Sequence, residues 1–202
     1  MQRLSTFFYT RPATLRIAQE LLGKVLVTRF DGKETAGRIL EVEAYLGTRD
    51  RACHAYGARR TPRNNSMYAT GGIAYVYRCY GIHHLFNVVT NGPGIPHAIL
   101  IRALEPLRGQ EIMQHRMGRP VPAARLTRGP GNLARALGLD RSHDGRSLCS
   151  RDLFIASDGI VLSPGRIGRS PRIGVDYAGS DALLPYRFYI KGHPSISGRP
   201  VH

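Results

Sequence analysis

Glu41 and Glu43, separated by one residue in the run Arg38–Leu46, are two of only 14 acidic residues in a chain that carries 29 lysines and arginines. Strand alternation puts Glu41, Glu43 and Tyr45 on one face and Leu40, Val42, Ala44 and Leu46 on the other. The second set suits a core. The first allows two readings: a solvated acidic face on a half-exposed strand, or a carboxylate beside an anion-binding surface, acting as a general base. A carboxylate repels a phosphate ligand, so in the second case it must serve chemistry or an ion pair.

A second constellation lies in the run Ile73–Tyr80. Tyr75 and Tyr77 share a face, and Tyr80 stands on the opposite parity at the end of the strand. Gly81-Ile82-His83-His84 reads as the short connection to Leu85–Thr90, so the tip carries Tyr80, Ile82, His83 and His84. In a basic protein such a tip can wedge between base steps, and aromatic rings can stack on released bases. Stacking contributes about 1–3 kcal/mol per base, comparable with the few kcal/mol that extruding a nucleotide costs. The alternative is a core hairpin whose Tyr75 and Tyr77 lie under the loop 49–69.

Metal chemistry finds little support. Cys53, Cys79 and Cys149 form no CxxC pair, and three is an odd number, which argues against a disulfide framework and a four-thiolate zinc site. In the adjacent pairs Cys53-His54 and His83-His84 the side chains point to opposite faces of a strand. A zinc deaminase needs H-x-E and P-C-x-x-C, whereas Ala55-Tyr56 follows His54. Neither a metal nor another cofactor is expected. Gly129-Pro130-Gly131 could offer backbone N–H groups to a phosphate, or be a simple turn.

The formal charge is +15 in 202 residues, and all but Lys24, Lys33 and Lys191 among the basic residues are arginines. Arginine forks match phosphate oxygens, and charge spread along the chain favours a basic folded face over a tail. Nucleic acid is the partner this implies, with anionic lipid or a ribosomal surface as alternatives. A GC-rich genome accounts for the arginine preference but not for the surplus. No apolar run approaches the roughly 18–20 residues of a bilayer span, and Met1–Phe8 lacks a secretory pattern, so a cytoplasmic protein without membrane partners is expected.

These residues need positioning. Thr10–Leu22 reads as a helix stopped by Gly23, Lys24–Phe30 as a strand, and Asp31-Gly32 as a hairpin turn. Arg38–Leu46 is the next strand. Arg49–Ala69 is a long loop, and Ala98–Leu104 an apolar strand. Short helices are predicted over Arg108–Met117 and Asn132–Leu137, and short strands near Leu153–Ile155, Ile173–Val175 and Arg187–Ile190. With 42% hydrophobic residues and no repeat or linker, 1–202 reads as one α+β domain. It comprises a curved, mostly antiparallel sheet, flanking short helices and a protruding β-hairpin.

In order and spacing, Glu41-Val-Glu43-Ala-Tyr45-Leu-Gly47, His54, Arg60-Thr-Pro-Arg-Asn64, Tyr75-Val-Tyr77, Tyr80-Gly81, Asn87 and Arg102-Ala-Leu-Glu-Pro106 resemble the alkyladenine (3-methyladenine) DNA glycosylase family. Arg172-Ile-Gly-Val and Arg187-Phe-Tyr-Ile resemble its closing segments, so the likeness spans essentially the whole chain. It implies a monofunctional base-excision repair enzyme that flips a damaged purine from duplex DNA and hydrolyses its N-glycosidic bond. By resemblance, Glu43 matches the glutamate that deprotonates the attacking water, and Arg102 an arginine that helps hold that water. Tyr45 and His54 match residues around the flipped base, with Tyr77 stacking opposite Tyr45. Asn87 matches a pocket residue that rejects the amino group of undamaged guanine. Tyr80 matches the tyrosine that fills the minor-groove gap, with Ile82 and His83 beside it, and Arg59 and Arg63 are phosphate contacts. This chain departs from relatives at Ile82 and His83, where a Met and a second aromatic are common, and at Asn132, where some carry a lysine. A monomer acting on the nucleoid is expected; the rival readings are a non-catalytic nucleic-acid-binding module and a ribosome-associated protein.

Overall fold

The computed structural model describes residues 1–198, so the last four residues of the expected 1–202 domain lie outside the described residues. Its spine is the 13-residue strand β3 (Lys33–Tyr45). The turn before it takes left-handed φ at both Asp31 (52°) and Gly32 (70°), the type I′ geometry whose twist suits a hairpin. That turn folds β2 (Val25–Phe30) onto the first half of β3, with Val25 opposite Arg38. The second half of β3 pairs with β9 (Arg187–Ile190), Glu41 opposite Tyr189 and Glu43 opposite Arg187. Along its other edge runs β6 (His97–Arg108).

Outward from β2 lie β7 (Leu153–Ser157) and β1 (Gln2–Arg3); outward from β6 lie β5 (His83–Thr90) and β4 (Ala74–Cys79). With β8 (Ile167–Ser170) on β9, the described residues form one nine-stranded sheet in which every pairing is antiparallel. The register with β6 shifts on both sides of Glu41, and there Ile39 and Leu40 both enter the core. Such a bulge bends the strand and increases its twist. Beyond it, Leu40, Val42 and Ala44 face the main core, leaving Glu41 and Glu43 on the opposite side.

Among the described residues four α-helices cover the core face or its rim: α1 (Thr6–Thr10), α2 (Thr14–Leu21), α3 (Gln110–Met117) and α4 (Pro130–Leu137). Ile17, Ala18 and Leu21 of α2 and Leu133, Ala134 and Leu137 of α4 join Phe86, Val88, Ile99 and Ile101 of the sheet in the main core. On the other side, Tyr75, Val89 and Ala98 pack against Cys53, Ala55 and Met67 of the long loop. The sheet is therefore buried on both faces where it carries the glutamates, and the fold is α+β.

Several elements differ from their sequence reading. The helix expected over Thr10–Leu22 is broken, because Arg11 is extended (φ −61°, ψ 138°) as a residue preceding proline tends to be. The helix expected from Arg108 starts at Gln110, since β6 runs to Arg108 and Gly109 (φ 71°) makes the change of direction. In α4 the first residue is Pro130, whose missing N–H costs nothing at a helix start. Ile173–Val175 is not a strand; the strand in this region is β8. The hairpin connection is tighter than Gly81–His84: Tyr80 (φ 49°) and Gly81 (φ 69°) make the turn, and the Ile82 N–H donates to the Cys79 carbonyl at 3.1 Å.

Glu41 joins these strands. It is fully buried, and its Oε1 accepts from Nε of Arg102 on β6 (3.0 Å), Nε of Arg187 on β9 (2.7 Å) and the Ser197 hydroxyl (2.8 Å). Its Oε2 accepts the Ser197 N–H at 2.6 Å. Removing one member of a buried ion network strands its partners without compensation, at about 3–5 kcal/mol. Glu41→Ala is expected to lose that much stability in urea unfolding; an unchanged midpoint and slope would show that the hub contributes nothing.

Candidate active site

On the sheet face away from the main core opens a cleft of about 930 Å³. Its walls are the loop 45–67, the β4–β5 hairpin, the turn before α4 and the segment 173–177. Glu43 lies directly behind it, fully buried, hydrogen-bonded to two residues that line it and ion-paired with a third. The Tyr45 hydroxyl donates to Oε2 at 2.8 Å, Arg102 Nη1 lies 3.2 Å from the same oxygen, and the Ile173 N–H donates to Oε1 at 2.8 Å. A carboxylate offers about four acceptor positions, so Oε1 can take one more donor.

Arg102 bridges Glu43 and Glu41. Burial works against its charge, but the carboxylates of Glu43 and Glu41 together hold its guanidinium above the ordinary range. Burial, and then Glu43, push the Tyr45 hydroxyl far up, which keeps it a neutral donor. The Tyr45 ring has the Arg172 guanidinium 4.9 Å from its centre, and Arg172 in turn grips Asp50 through both oxygens at 2.6 and 2.8 Å. Asp50 also accepts the N–H groups of Leu46 and Ala52, which ties the start of the loop to the end of β3.

The opposite wall is aromatic. His54 Nδ1 is 2.8 Å from the Tyr75 hydroxyl, and its ring meets Tyr77 edge-on with centroids 4.6 Å apart. Tyr75 is buried yet serves this wall through its hydroxyl, so it belongs both to the core and to the site. Burial, then Arg63 and Arg59, bring the His54 imidazole down to about 4, so it is neutral at pH 7. Asn64 fixes the loop behind it, accepting from Thr61 and donating to the carbonyls of His54 and Arg59. Asn87, nearly buried on β5, lines the cleft while its amide donates to the Tyr75 carbonyl at 3.1 Å.

Of the residues singled out in the sequence, Tyr45, His54, Tyr77, Asn87 and Arg102 thus line one cleft. No ring contact joins Tyr45 to Tyr77 among the described residues, although both line the cleft. Arg59, Arg63, Tyr80 and His83 line its mouth, whereas Ile82, 74% exposed, stands outside the lining. Tyr80 is 89% exposed in a left-handed conformation unusual for a tyrosine, a cost of about 1–3 kcal/mol that presents its ring to solvent. His83 lies against Gly131: a Cβ there would come within 2.9 Å of its ring, so the first turn of α4 braces the hairpin. Asn132 is also part of the lining.

Three contributors were not legible as such. Arg172 looks like any other arginine in an arginine-rich chain, yet its side chain is fully buried beneath Tyr45. Ile173, read as part of a strand, spends its N–H on Glu43 instead of a neighbouring strand. Glu41 shares parity with Glu43 but is consumed by its ion network. Among the described residues no group of three or more His, Cys, Asp or Glu side chains could hold a metal ion, and no helix is long and apolar enough to cross a membrane.

The cleft thus has an aromatic wall, a buried carboxylate behind it and arginines among its lining. The methylpurine-DNA glycosylase (MPG) family model matches residues 7–194. The chain is 48% identical to a protein of Chlamydia felis over 91% of its own length and 93% of the relative's, and 44% identical to one of Myxococcus xanthus over 99% and 96%. A Bacillus cereus protein is 45% identical over 91% and 94%; all three bear the name "Putative 3-methyladenine DNA glycosylase". The chain belongs to the methylpurine-DNA glycosylase family, and at that level it is a DNA glycosylase.

The neutral His54 has a thermodynamic consequence. A histidine whose folded pKa lies near 4, below its unfolded value of about 6.5, contributes stability that is fully present above 6.5 and lost as pH falls towards 4. Urea midpoints are expected to drop between pH 7 and pH 4.5, and less steeply in His54→Gln. Parallel pH profiles for the two proteins would show that the imidazole titrates normally.

Proposed function

We propose that this chain, as one domain and as a monomer, is a monofunctional DNA glycosylase of base-excision repair that acts on alkylated or deaminated purines in duplex DNA. Its substrates include 3-methyladenine, 7-methylguanine, hypoxanthine and ethenoadenine, and its place of work is the cytoplasmic nucleoid. Three relatives carry 3-methyladenine in their names. The observation that carries the reading is Glu43: fully buried, with its carboxylate held by Tyr45, Arg102 and Ile173, all of which line the cleft.

The damaged purine leaves the helix and enters the slot between Tyr45 and the His54–Tyr77 wall, while Tyr80, with Ile82 and His83, fills the gap it leaves. Water attacks C1′ as the C1′–N bond breaks with both electrons departing on the base. Glu43 Oε1 takes the water's proton and stabilises the oxocarbenium-like centre. Arg102 orients the carboxylate and the water, and Asn87 excludes purines bearing the amino group of undamaged guanine. Arg59 and Arg63 hold phosphates.

An N-alkylated purine is already a cationic leaving group, so one carboxylate suffices. Cation–π attraction to the slot is worth about 0.5–2 kcal/mol. Here the gain falls towards the lower figure, because Arg172 and Arg63 already lie about 5 Å from the centres of the Tyr45 and Tyr77 rings. Among the described residues no lysine lines the cleft, so none is placed there as the nucleophile of a covalent lyase step.

Two variants test the assignment. Glu43→Gln is expected to bind duplexes containing 3-methyladenine while single-turnover base release falls by about 10²–10⁴-fold or more; near-parental release would remove Glu43 from the chemistry. Tyr80→Ala is expected to weaken binding to lesion duplexes by about 1–3 kcal/mol, and unchanged affinity would end the wedge role. Defined duplexes carrying each of the four lesions establish the spectrum, and absence of free base from all of them would leave only a DNA-binding module.

A further inference from the structure

Tyr177 has no role in the mechanism above, yet it is 71% exposed and lines the same cleft. Its hydroxyl donates to the Ala52 carbonyl at 3.1 Å, so the exposed ring is anchored at its far end instead of swinging free. The turn that carries it, Asp176–Leu183, is fastened at two more points. The Arg51 N–H donates to Asp181 Oδ2 at 2.8 Å, and Arg172 Nη2 donates to the Asp181 carbonyl at 3.2 Å. Val175 and Ala178 pack with Ala52 beneath it. An exposed aromatic with this much support behind it is built to meet something.

Its surroundings narrow what that is. The Tyr177 ring lines the cleft together with Tyr77, at the place a base would occupy, and Tyr80, at the place its gap would be filled. Beside it the exposed Arg51 guanidinium lies 3.5 Å from where Gly179 would carry a Cβ, and among the described residues no carboxylate pairs with it. When a nucleotide is drawn into the slot, the segment that must bridge those two places is its sugar and the adjoining phosphates. A deoxyribose offers an apolar C–H face that suits an aromatic ring, and a phosphate suits a guanidinium fork.

We propose that Arg51 and Tyr177 form a second nucleotide contact at the mouth of the cleft. Arg51 pairs with a phosphate bordering the extruded nucleotide, and the Tyr177 ring packs on its deoxyribose. This rests on the base-extrusion reading, but it concerns the sugar–phosphate chain and not the base. The contact explains why the segment 173–177 ends on an exposed tyrosine: the same short stretch gives Glu43 an N–H and gives the sugar a surface, so the substrate's C1′ is located relative to the carboxylate.

The test uses the full chain and a duplex carrying a tetrahydrofuran abasic analogue, which has the sugar and phosphates but no base. Tyr177→Ala is expected to weaken binding to this duplex about tenfold, and to a lesion duplex by the same factor, with Tyr177→Phe restoring most of the loss. Arg51→Ala is expected to lower the slope of log affinity against log salt by about 0.9, the signature of one lost phosphate contact. Unfolding midpoints accompany each variant, so that a folding defect is recognised. Parental affinity of Tyr177→Ala for the tetrahydrofuran duplex overturns the sugar contact, and so does a loss confined to duplexes that contain a base. An unchanged salt slope for Arg51→Ala overturns the phosphate contact. Failure of the parent protein to release any base instead refutes the glycosylase mechanism, a result read in a separate assay.

Discussion

Two carboxylates on one face of a strand, both without solvent contact, are tolerable only if cations come to meet them. In this protein Glu41 and Glu43 are met by Arg102 from β6, and Glu41 also by Arg187 from β9. The cost of burying unpaired charge is several kcal/mol per ion, larger than most single contributions to the stability of a domain. Strand order, the segment beyond β8 and the stretch near Ser197 all have to deliver a partner to this point, so the ion network constrains the fold as the hydrophobic core does.

Within the network the two glutamates have separate duties. Glu41 is surrounded by donors that cross-link three strands and the segment near Ser197, and nothing of it lines the cleft. Glu43, two residues on, shares Arg102 but takes its other donors from Tyr45 and the Ile173 backbone, both part of the cleft wall. Arg102 therefore belongs at once to the support and to the site. This coupling gives a rigid carboxylate with a defined orientation, which is what base-assisted hydrolysis needs from a protein.

The cleft is assembled from pieces with little regular structure of their own. The loop between β3 and β4 is held by Asp50 on Arg172 and by Asn64 on three backbone neighbours, so a stretch without periodicity is nevertheless fixed. The hairpin tip rests on Gly131, and the turn 176–183 on Asp181. Each anchor is a polar side chain or a glycine satisfying local backbone geometry, and each leaves an aromatic or an arginine facing the cleft. The +15 charge is in this respect divided: some arginines are buried structural partners, and others line the mouth of the cleft.

By itself the sequence determined the character of the strands, the Asp31-Gly32 turn, the two-sided alternation of β3 and the aromatic hairpin, because these depend on neighbours one to four residues apart. Glu43, Tyr45, His54, Tyr77, Asn87 and Arg102 were named together only through the resemblance to a glycosylase family, which residue types in order along the chain carry. Which charges meet is settled by the fold. Arg172 and Asp50 are separated by 122 residues, Ile173 and Glu43 by 130, and Arg187 and Glu41 by 146. No local pattern encodes such pairs, since an arginine bound for the interior and one bound for a phosphate have the same side chain. Burial, a property of the whole fold, sorts them, and it also turned a segment that reads as a strand into the donor behind Glu43.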